Sequence, residues 1–575
     1  MDFSKIDLSE NQELARLIIK RAAKKKFKKR KDFEKFRNSV IKEKKGEIFH
    51  NLYFIKAYND LVEEGEIKPN MELKGLIRKR SVRTMSGVAP VTVLTKPFPC
   101  PGRCIYCPTD ARMPKSYLPS QPAAQRAFRQ RFNPYTQVFV RLKALRMTGH
   151  EVSKVELRVI GGSFSAYPKH YQTWFVKQCL LAMNEFHEQV KKADRMEDII
   201  ERKIVKSIYG EDEVNTVIIK SLENKSFDAI IKDNEKGKVR CIGINVETRP
   251  DLIDESEVKR LRFLGVTKVE MGVQTTDNEV QKITKRGHDM KQVVNATRLL
   301  KDSGFKIGYH MMPNLPGATI DSDKRMVGEL FSGDDFQPDY LKIYPCVVMP
   351  RTQLSLMYKD GRYKPYNDEV LEDVVAEEVK TVPEWCRIDR IARDIPSNEI
   401  ESGFKMSNIR QIIEKRLEDE GNPCRDIRYR EIKDENVNSE NVKLVIRKYE
   451  ASGGVEIFLS YEDVKKDKII ALLRLRLPVK PFIKSIKNSA LIREVHVYGK
   501  QIPVGERGDN NKQHVGLGTK LMTESEKMAK NLGYRRISVI SGIGTREYYK
   551  KKGYKLEGTY MIKDFQDSKR VTGES

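Results

Sequence analysis

No stretch of this 575-residue chain approaches the ~18–20 apolar residues that a membrane span requires. Its apolar runs, such as Ile469–Leu473, have the length of a strand. The opening residues, MDFSKIDLSENQ, hold no apolar signal core, so a cytoplasmic location is expected. Cysteine is scarce: eight in the whole chain cannot make a disulfide scaffold, and in a reducing compartment clustered thiols point to metal ligation. Acidic side chains are the minority, 81 against 108 Lys and Arg, for a net charge of +27. What is present, 39% apolar and 33% charged residues, excludes a disordered or collagenous chain and suffices for more than one core. At roughly 150 residues per domain, about three to four domains are expected.

The surplus of positive charge draws polyanions, nucleic acid first and anionic membrane second. A solvated, heat-adapted surface is the alternative. Lys24–Lys31 (KKKFKKRK) is almost unbroken positive charge, and Arg78, Lys79, Arg80 and Arg83 form a second cluster. Acidic residues do not interleave there as they would on an ion-paired helix face, which favours nucleic acid. Phe27, Phe33 and Phe36 lie between the charges, at the spacing of the apolar stripe of an amphipathic helix.

Residues 1–75 read as a basic helical segment. From Val91 to Tyr344, short apolar runs alternate with amphipathic helical stretches: VELRVIGG, VRCIGINVETRP, VTKVEMGVQ, FKIGYHMMP and DYLKIYPCVV each head a helical segment or close the series. That pattern predicts a parallel sheet with helical crossovers, a full or partial β/α barrel over 76–370, with reactive groups at the C-terminal strand ends. Residues 371–435 read as a linker region. Residues 436–575 read as a separate α/β unit. The expected fold class is α/β.

PFPCPGRCIYCPTD sets Cys100, Cys104 and Cys107 in C-x3-C-x2-C spacing. Pro101, Gly102 and Pro108 prevent a regular helix, so the loop can fold three thiolates around one object. Three thiolates leave a tetrahedral zinc or a four-cysteine cluster one ligand short; a 4Fe–4S cluster with one open iron accounts for them better. Cys346, Cys386 and Cys424, with His310, could converge on a structural zinc, although buried free thiols suit their open spacing better. Further along, QHVGLGTKLM (Gln513–Met522) places Gly516 and Gly518 at the start of a helix, a phosphate cradle of exposed backbone N–H groups and helix dipole.

These motifs carry a resemblance. The cysteine loop at the entrance to a β/α series resembles the radical S-adenosylmethionine superfamily, and Gly161, Gly162 and Ser163 resemble its methionine-binding turn. The C-terminal order resembles acetyl-CoA-dependent N-acetyltransferases. The pairing, with RFNPYTQ, VETRPD, GVQTTDNEVQKITKRGH, YHMMPNLPG, REVHVYG and ISVISGIGTREYY, closely resembles the catalytic-subunit family of Elongator in its archaeal stand-alone form, over about Arg78 to Lys563. The interval between the first two cysteines is shorter than in many of its members and matches ordinary radical enzymes.

The resemblance implies a partial radical barrel plus an acetyltransferase domain that together build 5-carboxymethyluridine at the wobble position of tRNA. It implies Cys100, Cys104 and Cys107 on a 4Fe–4S cluster and Gly161–Ser163 on S-adenosylmethionine. For acetyl-CoA it implies the backbone of Glu494, Val495, His496 and Val497 on the pantetheine and Gly516, Leu517, Gly518 and Thr519 on the diphosphate. Tyr549 would stand near the thioester, and Lys154 would handle acetyl-CoA from the radical side. Partners implied are the tRNA anticodon stem-loop, an electron donor and a second copy of the chain, with no membrane. Arg78–Arg83, Arg126, Arg129 and Arg131 are candidate phosphate contacts. Since both sites must share one acetyl group, the acetyltransferase unit is expected to dock over the barrel mouth. The rival readings are a protein lysine acetyltransferase using the C-terminal unit alone, and an RNA-binding scaffold.

Overall fold

The computed structural model describes residues 11–27, 29–44, 51–77, 87–209, 225–406, 408–433, 435, 437–498 and 516–565. The Arg78–Arg83 cluster, Lys28 and Gln513 lie outside them. Helices Gln12–Ala23, Arg30–Glu43, Asn51–Glu63 and Met71–Ile77 share a core of their own around Ile18, Ile19, Phe33, Phe54 and Leu61. Phe33 is buried and meets Phe27 and Phe54 edge-on, so these phenylalanines are the apolar stripe. An ion pair of 2.7 Å between Glu63 and Arg146 ties this bundle to the rest.

Seven parallel strands follow in chain order: β1 (Ala89–Leu94), β2 (Lys154–Ile160), β3 (Arg240–Thr248), β4 (Lys268–Gln274), β5 (Lys306–Met311), β6 (Tyr340–Ile343) and β7 (Arg387–Ile391). Each pairs with its predecessor, as right-handed crossovers repeated in one direction require. The sheet is curled. Lys268 Nζ on β4 reaches Asp389 on β7, three strands away, at 2.8 Å, and Lys342 Nζ on β6 lies 3.5 Å from Glu247 on β3. Such pairs can form only across a concave face. The seventh strand corrects the reading of 371–435 as a linker: RIDRI is too charged to look like a buried strand, because Arg387 and Asp389 point into that face.

The second sheet runs β13 (Lys555–Glu557), β14 (Tyr560–Asp564), β12 (Arg536–Val539), β11 (Ser489–Val497), β10 (Lys468–Leu477), β9 (Gly454–Asp463), β8 (Val442–Ala451). All pairs are antiparallel except β11 with β12. Those two are parallel only over Ser489–Ile492 against Arg536–Val539, and β11 then continues to Val497 bonded to β10 alone. A notch opens there. Helix Leu517–Asn531 covers this sheet with Leu517, Leu521, Met522 and Ala529.

The two sheets are one packed body, since Leu491, Ile540, Ile543, Tyr560 and Ile562 belong to the barrel's own apolar core. Gly542 comes so close to β3 that a Cβ there would stand 2.0 Å from the Ile242 carbonyl oxygen. Between the sheets, Arg493 donates to Asp339 at 2.9 Å and to the Phe305 carbonyl at 2.5 Å. Arg476 donates to Asp302 at 2.6 Å, and Tyr560 donates to the Ser303 carbonyl at 2.8 Å. Ile242, Ser303, Phe305 and Asp339 all lie at or just before the N-terminal ends of their strands. The second unit therefore closes the floor of the barrel, not its mouth as expected. The mouth is left to the loops that follow the strands.

Asp339 is fully buried and also accepts from the Ile307 amide at 2.8 Å. Removing its charge strands Arg493, so Asp339→Asn is expected to cost about 3–5 kcal/mol in equilibrium unfolding. Lys527→Ala, which breaks an exposed pair with Glu524, should stay within about 0.5 kcal/mol.

Candidate functional site

The cysteine loop follows β1 and lies at the C-terminal end of the barrel. Its turn is closed by the Cys107 amide donating to the Cys104 carbonyl at 3.2 Å and the Gly102 amide to Cys100 Sγ at 3.4 Å. The three sulfurs are not gathered within 4.8 Å of one another. One zinc, with Zn–S bonds of ~2.3 Å, would hold them at about 3.8 Å. A cubane that offers a different iron to each thiolate needs the wider spacing.

The surroundings are cationic. Arg286 Nη1 donates to Cys104 Sγ at 3.4 Å, and Arg249 packs under Gly102. Burial works against the Cys104 thiolate, yet Arg286 and then Arg249 bring its pKa below the ordinary thiol value. Burial and the neighbouring Cys104 push Cys107 up to about 11. Arg249 Nη1, Arg286 Nε and both ring nitrogens of His288 are buried without a hydrogen-bond partner among the described residues. Buried donors left in this state suit an anionic group held by the thiolates, and the residues fit a 4Fe–4S cluster.

Gly161, Gly162 and Ser163 end β2 beside this loop. Gly161 has φ +126°, and a Cβ on it would stand 2.2 Å from Thr95 Oγ1, so only glycine lets β1 and β2 close here. Ser163 Oγ is 3.8 Å from Cys100 Sγ. The turn and the loop therefore face one another, as a cofactor bridging them requires.

Below the loop the concave face is lined with charge. Inward positions are Lys154, Glu156 and Arg158 on β2, Asn245 and Glu247 on β3, and Lys268 and Glu270 on β4. Lys306 and His310 on β5, Tyr340 and Lys342 on β6, and Arg387 and Asp389 on β7 continue the lining. A closed β/α barrel fills this space with branched apolar side chains. Here it is polar and open: Arg158, deep among Glu156, Glu270 and Asp389, keeps 40% of its side chain accessible. This polar lining extends from the cysteine loop to the second sheet. At its top, Tyr117 donates to Glu247 at 2.8 Å, and at its floor Tyr340 donates to Glu494 of β11 at 2.6 Å. Sequence reading missed this lining, although its signal was a charge at every second position of β2.

Lys154 stands at the first inward position of β2, in register with Arg240, which abuts Gly544 of the second unit. Burial, with Arg240 second, lowers its pKa. It therefore faces the interface.

Glu494 to Val497 form the part of β11 that borders the notch, with no strand paired to them on the β12 side among the described residues. The Glu494 carboxylate also accepts from Arg474 at 2.9 Å. Burial disfavours its charge, but Lys306, Arg474 and His496 outweigh it and bring the pKa to about 2. Held in this state, it is a poor general base.

Gly516 caps the helix at φ +94°, and Gly518 lies against Val497 and Val495. Thr519 accepts from Lys552 Nζ at 2.8 Å. Tyr549 goes into the core with Leu517 and Met522. Its neighbour Tyr548 is 42% exposed, with its hydroxyl 3.9 Å from a Cβ position on Gly518. Tyr548 and Lys552 are the residues at this turn that sequence reading passed over.

Cys346, Cys386, Cys424 and His310 do not converge on a common metal position among the described residues. Cys346 is buried with Val280, Leu315 and Tyr363, while Cys386 and Cys424 sit in the barrel core. His310 turns to Glu270 at 3.1 Å. Among the described residues only Glu247, Glu270 and His310 bring three donor atoms together, and the Lys342 ammonium already pairs with both carboxylates. No described helix is long and apolar enough to cross a membrane.

Residues 99–329 match the radical SAM superfamily and 338–419 the radical SAM C-terminal domain. A tRNA uridine(34) acetyltransferase of Methanocaldococcus infernus is 40% identical over 568 residues, 96% of this chain and 99% of its own. Human Elongator complex protein 3 is 36% identical, covering 85% of this chain and 86% of its own. The solved structure of the M. infernus Elp3 with an N-terminal deletion superposes with a TM-score of 0.68 at 39% identity, over 84% of this chain and 100% of that one. By these matches the chain belongs to the radical SAM superfamily and, within it, to the Elongator complex protein 3 family.

Proposed function

We propose that this chain is a tRNA uridine(34) acetyltransferase that joins the methyl carbon of acetyl-CoA to C5 of the wobble uridine, one hydrogen leaving each carbon, while water hydrolyses the thioester to release coenzyme A and leave 5-carboxymethyluridine. The observation that supports it best is the polar lumen with the cysteine loop at one end and the β11 notch at the other. C5 of uracil offers no amine for ordinary acyl transfer, so a carbon radical is the chemistry the substrate demands. A cluster on Cys100, Cys104 and Cys107 with S-adenosylmethionine at Gly161–Ser163, reduced by an external electron donor, supplies that radical when bound.

The chain's own groups do the rest. Arg286 and Arg249 favour the Cys104 thiolate. The free edge of Glu494–Val497 receives the pantetheine as an added strand, and the N–H groups of Gly516–Thr519 with Lys552 receive the diphosphate. Glu494, pinned by Tyr340 and Arg474, fixes the height of β11 against the lumen floor. Lys154 faces the incoming thioester from the barrel side. Exposed Arg126 and Arg131, with the basic amino-terminal helices, offer phosphate contacts to an anticodon stem-loop. A splayed uridine then enters from the mouth.

The reading is tested by mass spectrometry of tRNA nucleosides after anaerobic incubation with acetyl-CoA, S-adenosylmethionine and a reductant. 5-Carboxymethyluridine should form with the wild type and be lost with Cys104→Ser, whose iron content should fall. Lysine acetylation without tRNA modification would replace this reading with the protein acetyltransferase. Gly516→Val forces a β-branched residue into a left-handed turn at a cost of roughly 1–2 kcal/mol. Acetyl-CoA binding measured by calorimetry should weaken about tenfold while iron content stays unchanged.

A further inference from the structure

Beside the cysteine loop, away from the lumen, lies a cleft of about 620 Å3 with Pro101, Arg103, Lys282, Lys285, His288 and Gln292 in its walls. None of the lumen residues borders it. Backbone bonds knit its surroundings to the loop. The Ile105 amide donates to the Thr284 carbonyl at 3.1 Å, and the Leu354 amide donates to the Ile105 carbonyl at 3.0 Å. Lys285 Nζ reaches Gln353 at 3.3 Å, so helices Asn278–Ile283 and Gln353–Lys359 make one surface with the loop. That surface is basic. Arg103 and Lys285 in the walls, with Lys291 and Arg351 on the flanking segments, are exposed and have no ion-pair partner among the described residues. The acids nearby are engaged: Asp289 caps helix Met290–Asp302, and Glu279 pairs with Lys282 at 2.6 Å. Two apolar side chains stand among these cations, Ile283 46% and Leu356 61% exposed.

We propose that this face docks an acidic one-electron carrier protein, of the flavodoxin or small ferredoxin class, that reduces the cluster. The inference rests on the cluster placed on Cys100, Cys104 and Cys107 above, and adds the route by which its electron arrives. Reduction moves one electron from the carrier to the cluster, and no bond in this chain forms or breaks. Electron tunnelling weakens exponentially with distance, so a carrier must come to rest close to the thiolates. Pro101 and Arg103 flank Gly102, whose amide donates to Cys100 Sγ at 3.4 Å, so a partner seated in the cleft is a short stretch of backbone from a cluster ligand. Arg286, which donates to Cys104 Sγ at 3.4 Å, immediately precedes Gly287 and His288 of the wall. Carriers of this class are small and acidic, and a basic rim steers them in without a tight complex. Such redox encounters bury little surface, for which Ile283 and Leu356 supply the apolar contact. A single-stranded RNA site would offer aromatic faces for stacking, and none of the residues lining this cleft is aromatic.

The test uses the full chain with its cluster reconstituted, and a purified flavodoxin and a purified ferredoxin as probes. Stopped-flow absorbance should show the cluster reduced by at least one carrier, at a rate that falls steeply with ionic strength. In the double variant Lys285→Glu, Lys291→Glu that rate at low salt should fall about tenfold or more and lose its salt dependence. Binding of the carrier, measured by calorimetry, should weaken in step. Leu356→Ser should slow reduction while leaving the salt dependence intact. Reduction by dithionite, iron content and affinity for an anticodon stem-loop should be unchanged in both variants. Lys527→Glu, a charge reversal on an exposed helix of the second unit, should have no effect. Carrier reduction insensitive to the double reversal, a loss that extends to dithionite in both variants, or no reduction by either carrier where dithionite succeeds would each overturn the assignment. So would a fall in stem-loop affinity with carrier reduction intact, which would make the face an RNA surface. If the wild type holds no cluster, the reading of the three cysteines fails, and this inference with it.

Discussion

The structure depends on a lattice of buried arginines and carboxylates between its two sheets. Arg474, Arg476 and Arg493 from the second unit meet Asp302 and Asp339 from the barrel, with Lys301 and Glu456 among them. Charges taken out of water cost several kcal/mol each unless geometry and further hydrogen bonds compensate. Here the compensation is shared across the interface, because each carboxylate is paired by a cation of the other unit. Separating the units would leave an uncompensated set on both sides. The lattice makes one rigid object of two chemical modules and fixes β11 under the lumen.

That rigidity gives the lumen its meaning. Its lining is also charged, and it links the floor to the mouth through side chains that hold one another in place. Lys268, Asp389, Glu270 and Lys342 are each paired, so the walls stay polar without collapsing onto one another. A small polar group can be passed or positioned along such a surface, where an apolar filling would exclude it.

Much of this was legible in the sequence, and the parts that were not share a cause. Val–Ile-rich runs ahead of amphipathic segments gave away five of the parallel strands, β2 to β6, because their outward faces pack under helices. The seventh, RIDRI, did not, since its inward residues serve the lumen and hide the usual apolar signature. The cysteine loop and the Gly516–Gly518 turn were visible because backbone chemistry restricts what can stand there. The side of the barrel that the second unit covers was not visible. Arg493 and Asp339 are partners across 154 positions, and nothing local to either announces the other. For the same reason the sequence does not tell Tyr548, exposed at the turn, from Tyr549, packed in the core. Adjacent residues on a short helix differ only in which way they face, and packing decides that.

The tight seating of Gly542 on β3 has a consequence for how such a protein can change over time. With the Ile242 carbonyl in the space of the missing side chain, neither half can drift in shape without the other following. An ancestral acetyltransferase and an ancestral radical barrel, once joined this closely, could no longer be exchanged for other versions of themselves. Heredity should therefore hand them on as a unit, with substitutions at the seam arising in matched pairs.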